Sequence, residues 1–280
     1  MKLMALSDIH QMSSKWKLLV KEAKEKKPDV VAIAGDILPK DRGIPEQLNF
    51  RDSLFKYAQA LKDAGIELVL TLGNDDNQLF IPYMREGQEK GLWHYLENNS
   101  CEIAGYTFVG MPYVPDHPFG YKYWVRSESR GNTRIDPQQF SEPLEMSSHN
   151  EFRLIPDYKK WLENQESIQD ILIRLSVETA ALAKSIWLIH APPSELGLDV
   201  CSHGQRVGSD AVLQFVKVSQ PMLTIHGHIH ESPEYTKIWQ NQVGKSICVQ
   251  AGQLGVKLYY TMITIDGGVK DITHSVYGQG

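Results

Sequence analysis

Cysteine is scarce: Cys101, Cys201 and Cys248 are the only three in 280 residues, and no two have Cys-x-x-Cys spacing. An odd, scattered set argues against a disulfide framework and fits a reducing, cytoplasmic setting. The thiols are expected to be buried or inert. No apolar run approaches the roughly 18 residues that a membrane span needs. Basic charge is not in excess either. A formal charge of −5 gives none of the electrostatic footprint of a nucleic-acid binder. It leaves room for a nucleotide substrate, because a bound metal can create positive charge locally. A signal peptide is missing, since Met1-Lys2 leads directly into Leu3-Met4-Ala5-Leu6 and then polar Asp8 and His10. The expectation is that nothing precedes the first strand. Internal repeats and low-complexity tracts are absent too.

What remains is an ordinary globular composition, 42% apolar and 22% charged, with a length suited to one large α/β domain over residues 1–280. Short, near-continuous apolar runs at Lys2–Ser7, Asp29–Ala34, Glu67–Leu72, Thr107–Met111, Ser185–Ile189 and Leu223–Ile225 read as buried parallel strands. Helical stretches lie between them at Lys15–Lys26, Gln47–Ala64, Lys159–Lys184 and Ser209–Ser219. After Ile247 the texture becomes mostly strand, at Ser246–Gln250, Val256–Ile265 and Val269–Tyr277, with a tight hairpin at Asp266-Gly267-Gly268. The pattern predicts two mixed sheets covered by helices, ending in antiparallel strands.

Residues 112–157 break the alternation. They carry Tyr113, Phe119, Tyr121, Tyr123 and Trp124 among prolines and the basic Lys122, Arg126, Arg130 and Arg134. A segment this long inside a compact domain reads as an inserted lid. Its arginines could clamp a phosphate, although a solvated loop is an equal reading. Tyr121, Tyr123 and Trp124 are expected to anchor the insertion by packing.

Chemistry-bearing residues follow the strand ends: Asp8-Ile9-His10, Gly35-Asp36, Gly73-Asn74-Asp75-Asp76, His190 and Gly227-His228-Ile229-His230. Open α/β sheets bind ligands at that edge. In extended chain Asp8 with His10, and His228 with His230, would point the same way. Gly35 and Gly73 would let backbone approach closely. Carboxylate, amide oxygen and imidazole together are expected to make a site for two divalent ions, and suit Mn²⁺, Fe or Zn²⁺ better than Ca²⁺. Mn²⁺ is favoured, with Mg²⁺ a further alternative. His226 is read as a core residue or one lying behind the ligands. His94, His149 and His274 are read as surface residues, and Glu231 as an exposed acid.

In that order, D-x-H, G-D, G-N-x-D, a strand-terminal H and G-H-x-H resemble the calcineurin-like metallophosphoesterases over nearly the whole chain. Met111-Pro112-Tyr113-Val114-Pro115, Gly208-Ser209 and His228-Ile229-His230-Glu231-Ser232 look like the bacterial and archaeal members related to the cyclic-nucleotide phosphodiesterase. The resemblance implies a four-layer α/β/β/α sandwich. It implies that Asp8, His10 and His230 hold one metal, that Asn74, His190 and His228 hold the other, and that Asp36 bridges them. Two divalent ions with both aspartates and a bridging hydroxide would leave about one positive charge to meet a phosphate. The implied activity is hydrolysis of a small phosphoester or nucleotide, a phosphodiester favoured. Alternatives are a phosphomonoesterase, a nucleotide pyrophosphohydrolase, or a non-catalytic scaffold that keeps the metal pocket; the retromer subunit of this fold is similar in lacking the motif histidine and serving as a binding platform. Oligomeric state is left open.

One position departs from the family. Asp75 stands where most active members have a histidine that stabilises the transition state or protonates the leaving oxygen. Asp76 matches the acid that orients it and here has no such partner. A negative Asp75 would repel phosphate unless protonated or turned away. His203, His117 or an arginine of the insertion could substitute.

Overall fold

The computed structural model describes residues 1–11, 14–40, 43–147 and 151–279. Its strands are β1 (Lys2–Leu6), β2 (Val30–Ala34), β3 (Glu67–Thr71), β4 (His94–Tyr95), β5 (Asn99–Ile103), β6 (Tyr106–Met111), β7 (Leu144–Met146), β8 (Phe152–Leu154), β9 (Ser185–Ile189), β10 (Leu223–His226), β11 (Gln240–Val243), β12 (Ser246–Gln250), β13 (Thr261–Ile265), β14 (Val269–His274) and β15 (Gly278–Gln279). The helices are α1 (Ser14–Lys26), α2 (Ile44–Asn49), α3 (Arg51–Lys62), α4 (Ile81–Glu89), α5 (Tyr158–Glu163), α6 (Ile168–Glu178), α7 (Asp210–Ser219) and α8 (Ser232–Thr236).

Two large sheets form, one of seven strands ordered β15-β14-β13-β1-β2-β3-β4 and one of six ordered β11-β12-β10-β9-β6-β5. The heart of each is parallel: β1 through β4 in the first, and β6, β9, β10 and β12 in the second. Antiparallel strands finish the edges. Alternate residues of each strand face opposite ways, which divides the apolar runs between two cores. Leu3, Ala5, Val30, Ala32 and Val69 cluster with Phe108, Ile186, Leu188, Leu223 and Ile225 between the sheets. Met4, Leu6, Val31 and Ile33 belong instead with Trp16 and Leu19 of α1 and Leu54 and Leu61 of α3. Val109, Trp187 and Ile189 take the helix-facing side of the other sheet, with Trp187 packed 4.4 Å from Phe215 of α7. The result is the four-layer α/β/β/α sandwich, and burial on both faces explains why its strands show no polar alternation.

Three segments differ from the sequence expectation. The predicted helix Gln47–Ala64 is α2 and α3, which abut at Phe50. Lys159–Lys184 is not one helix but α5, α6 and a short 3₁₀ turn at Leu182–Lys184. Asp157 and Ser167 each accept a bond from the backbone N–H three residues on, starting a helix where the apolar period alone suggested continuity. The strand predicted from Val256 begins only at Thr261. Gln253 folds the preceding chain into a loop by bonding both the N–H and the carbonyl of Tyr259. The hairpin at Asp266-Gly267-Gly268 forms as expected, closed by Asp266 N–H donating to Gly268 O at 2.9 Å.

Candidate metal centre

Asp8, Asp36, Asn74, His190 and His228 all follow the carboxyl ends of parallel strands, and the two sheets bring those ends to one place. The local backbone is not the extended chain that the sequence suggested. Asp8 (φ 55°), Asp36 (φ 53°) and His228 (φ 69°) are left-handed, an arrangement uncommon for residues with a Cβ and concentrated where function over-determines it. Ile9–Gln11 is a 3₁₀ turn. Hydrogen bonds impose these bends: Asp8 N–H donates to Gly35 O at 3.0 Å, and His228 N–H donates to Asp8 Oδ1 at 3.0 Å. Ser7 Oγ donates to the other Asp8 oxygen at 2.6 Å.

Asp8, His10 and Asp36, all buried, offer ligand atoms that lie within 4.8 Å of one another and could hold a metal ion. The His230 ring is 5.8 Å from that of His10. On the other side Asn74 Oδ1 lies 3.0 Å from His190 Nε2 and 2.5 Å from His228 Nδ1. Asp36 Oδ2 stands between the groups, 3.4 Å from His190 Nε2 and 3.8 Å from His10 Nε2. The structure thus brings these side chains close together at one end of the two sheets.

The donor chemistry fits a cation there. His190 Nδ1 is 2.7 Å from Ala34 O, so that nitrogen carries the proton. A neutral His190 then turns a bare Nε2 lone pair toward two oxygens that can only accept, those of Asn74 and Asp36. Such a meeting of acceptors is unfavourable unless something positive joins them. A proton can play that part: burial holds the His190 pKa down, but the Asp36 carboxylate overcomes it and pushes the value up to about 10. Burial likewise opposes ionisation of Asp36, yet His190 and His10 hold its carboxyl below the usual range. Both ring nitrogens of His10 are buried without a hydrogen-bond partner. Close backbone approach is also built in. A Cβ at Gly73 would stand 2.3 Å from Asp36 Oδ1 and 2.6 Å from His190 Nε2, so only glycine fits.

Asp75 and Asp76 diverge. Asp75 bonds Lys40 Nζ at 2.6 Å, and its N–H donates to Asp36 Oδ1 at 2.8 Å. Burial and the Asp36 charge raise its pKa, with Lys40 opposing. Asp76 is fully buried and spends its carboxylate on backbone rather than on a histidine. It accepts the N–H groups of Ile37, Leu38 and Gly73, at 2.8–3.1 Å. Its work is to lock the Asp36 loop to the Gly73-Asn74 loop.

A cavity of about 260 Å³ opens beside these groups, lined by Asn74, Asp75, His228 and His230 together with Lys40, His117, Phe119, Phe140, His203 and Glu231. Several of these belong to the insertion. Phe119 and Phe140 pack at 5.9 Å and stay 49% and 72% exposed. Glu231, expected to be an exposed acid, is half-buried 3.4 Å from His230 Nδ1. Among the described residues no arginine of the insertion lines this cavity. Arg126 stacks on Tyr113 and donates to two carbonyls, and Arg130 and Arg134 face Asp170 and Asp210. The packing role of the insertion aromatics holds: Trp124 is buried and donates to Asp76 O at 2.7 Å.

Four further histidines complete the picture. His226 is a core residue as expected, its Nδ1 2.9 Å from Ala191 O. His94 is partly exposed beside Glu67. His274, expected at the surface, is buried against Trp239 and Tyr277, with Nε2 2.8 Å from Ala251 O. Its strand alternates inward at that position, which a lone histidine does not announce. His149 lies outside the described residues.

The sequence profile of the calcineurin-like phosphoesterases matches residues 1–232. The chain belongs to that family. No curated protein sequence matches it. Solved structures share its fold at low identity. One crystal structure superposes with a TM-score of 0.62 at 16% identity over 99% of each chain. The protein TT1561 of Thermus thermophilus gives 0.56 at 16% identity over 94% of this chain and 93% of its own. A dimetal phosphatase from Danio rerio gives 0.55 at 11% identity over 100% and 96%. Membership of a calcineurin-like phosphoesterase family implies phosphoester hydrolysis with divalent metals. No helix among the described residues is long and apolar enough to cross a membrane.

Proposed function

We propose that this phosphoesterase hydrolyses small phosphodiesters with two divalent ions. Asp8, His10 and His230 would hold one ion, Asn74, His190 and His228 the other, and Asp36 both. The carrying observation is the gathering of metal-ligating atoms at one place: Asp8, His10 and Asp36 within 4.8 Å of one another, with His190 Nε2 against Asp36 Oδ2 at 3.4 Å and Asn74 Oδ1 at 3.0 Å. When bound, such ions supply positive charge to phosphoryl oxygens and lower the pKa of water, with Mn²⁺ the favoured metal. The chain's own residues do the rest. Ala34 O and the Asp8–His228 backbone bond orient the imidazoles and carboxylate before any ligand arrives. Lys40 offsets the charge of Asp75 at the cavity. The insertion, acting as a lid, supplies an apolar wall through Phe119 and Phe140. A second ester substituent could lie against that wall, which favours a diester over a monoester.

A scaffold without turnover is the second reading, and Asp75 in place of the motif histidine is what favours it. The test is metal analysis together with turnover of aryl phosphodiesters, aryl monoesters and nucleotide anhydrides in Mn²⁺. Diester turnover above the other two supports the proposal. Bound metal with no hydrolysis of any of them supports the scaffold.

A further inference from the structure

With Asp75 tied to Lys40, the motif position offers a phosphate no hydrogen-bond donor beyond its partner. A donor stands elsewhere. His117 follows the carboxyl end of β6 in the insertion, lines the cavity, and places its ring 6.2 Å from that of His228. The residue is 5% exposed. Phe119 N–H donates to His117 Nδ1 at 3.3 Å. That bond makes Nδ1 the acceptor, so a neutral ring carries its proton on Nε2. Nε2 is buried and has no hydrogen-bond partner. A buried donor left unspent is unusual, because buried polar groups are generally paired.

The loop holding it is braced. Lys122 Nζ is fully buried and donates to Asp116 Oδ1 at 2.8 Å and to His117 O at 2.5 Å. Gln139 Nε2 donates to the same carbonyl at 3.2 Å, and Tyr158 O–H donates to Asp116 at 2.5 Å. A chain so held from both sides of His117 presents a fixed ring. His203, the rival at this cavity, is exposed and engaged with Gln205 at 3.0 Å.

From the proposed phosphoesterase reading, on which this rests, we infer that His117 Nε2–H donates a hydrogen bond to a non-bridging oxygen of the substrate phosphoryl group. It replaces, from another loop, the transition-state donor that Asp75 cannot be. The ring moves no proton and needs no base to restore it. Its contribution is a preorganised dipole where charge builds on phosphorus oxygens, and removing one such donor typically costs about 10²–10³ in kcat.

The experiment compares wild type, His117→Ala and His117→Gln, all loaded with Mn²⁺. It measures kcat and KM on bis(4-nitrophenyl) phosphate, metal content by mass spectrometry, and orthovanadate binding by calorimetry. Expected for His117→Ala are a kcat lower by about 10²-fold or more, weaker vanadate binding, and wild-type metal content. His117→Gln, which keeps an N–H donor, recovers part of both. The inference is overturned if His117→Ala keeps wild-type kcat and vanadate affinity, or if it loses metal in step with activity. Wild-type turnover reads the phosphoesterase assignment separately. If wild type proves inactive, vanadate affinity of the metal-loaded variants still decides the role of His117.

Discussion

Lys40 Nζ lies 2.6 Å from Asp75 Oδ2, joining two residues at the cavity where an anionic substrate must enter. The pair answers the difficulty that Asp75 raises. An isolated carboxylate there would repel phosphate, whereas the ammonium beside it makes the local charge close to neutral. Lys40 is half exposed and Asp75 is 16% exposed, so the pair contributes little to stability. Its consequence is for binding. Lys40→Ala is expected to raise KM for phosphodiesters by about tenfold, more at low ionic strength, with little change in kcat. Asp75→Asn in the Lys40→Ala background should restore KM. A salt series of steady-state kinetics checks both. If KM of Lys40→Ala matches wild type at low salt, Asp75 does not face the substrate.

Asp36 touches both halves of the candidate site. One oxygen accepts Asp75 N–H, and the other faces both His10 and His190. Asp36→Ala should therefore remove metal and activity together, whichever ion is native. Asp36→Asn keeps the shape and should still lose most metal, because a neutral amide cannot offset cationic charge. Metal content of the purified variants, set beside turnover, is the measurement. Wild-type turnover in Asp36→Ala would end the proposed assignment of ligands.

Much of this candidate site is legible in the sequence because parallel strands are short apolar runs, and polar residues placed just beyond them need no further folding argument. Asp8, Asp36, Asn74, His190, His228 and His230 are found that way. Two features resist the same treatment. Asp76 copies the motif acid in type, yet it spends its oxygens on Ile37, Leu38 and Gly73 N–H groups. Nothing in a string of letters tells a carboxylate that fastens two loops from one that orients a histidine. His117 sits in a segment with no period, and its place depends on Asp116 and Lys122 meeting across a loop. The left-handed turns at Asp8 and His228 are likewise tertiary in origin, held by bonds between residues 220 apart in sequence. Glycine at 35 and 73 is the exception: its need for close approach is visible in the sequence and is met by contacts that a Cβ would destroy.

His226 gives a pH dependence outside the catalytic chemistry. It is fully buried between Ile189 O, Ala191 O and Thr224 Oγ1. Burial lowers its pKa from 6.5 to about 4. Between those values the unfolded chain binds the proton and the folded chain does not, so stability rises with pH across that window. The stability is complete above about pH 6.5 and is lost as pH falls toward 4, by roughly 3 kcal/mol from this group. Denaturant unfolding at pH 7 and 4.5 should show a smaller acid loss in His226→Gln than in wild type. Equal losses would mean that His226 is already protonated when folded.

The Asp116–Lys122 pair anchors the insertion and offers a direct test of what holds His117. Lys122 is fully buried, the Asp116 side chain is 2% exposed, and they meet at 2.8 Å. Asp116 also takes bonds from Tyr158 O–H, Asp136 N–H and Gln139 Nε2. Removing one member of a buried pair strands the other charge, at a cost of about 3–5 kcal/mol. Asp116→Ala should therefore destabilise by that order and lower kcat through a displaced His117 loop, while metal content persists, since no proposed ligand lies in the insertion. Asp116→Leu combined with Lys122→Met removes both charges and should regain much of the stability, because no ion is left unpaired. It should not regain kcat, since the bond from Lys122 to His117 O is lost with it. Denaturant melts and kinetics on the two variants separate these effects. A cost below about 1 kcal/mol for Asp116→Ala would show that the insertion is held by its aromatics instead.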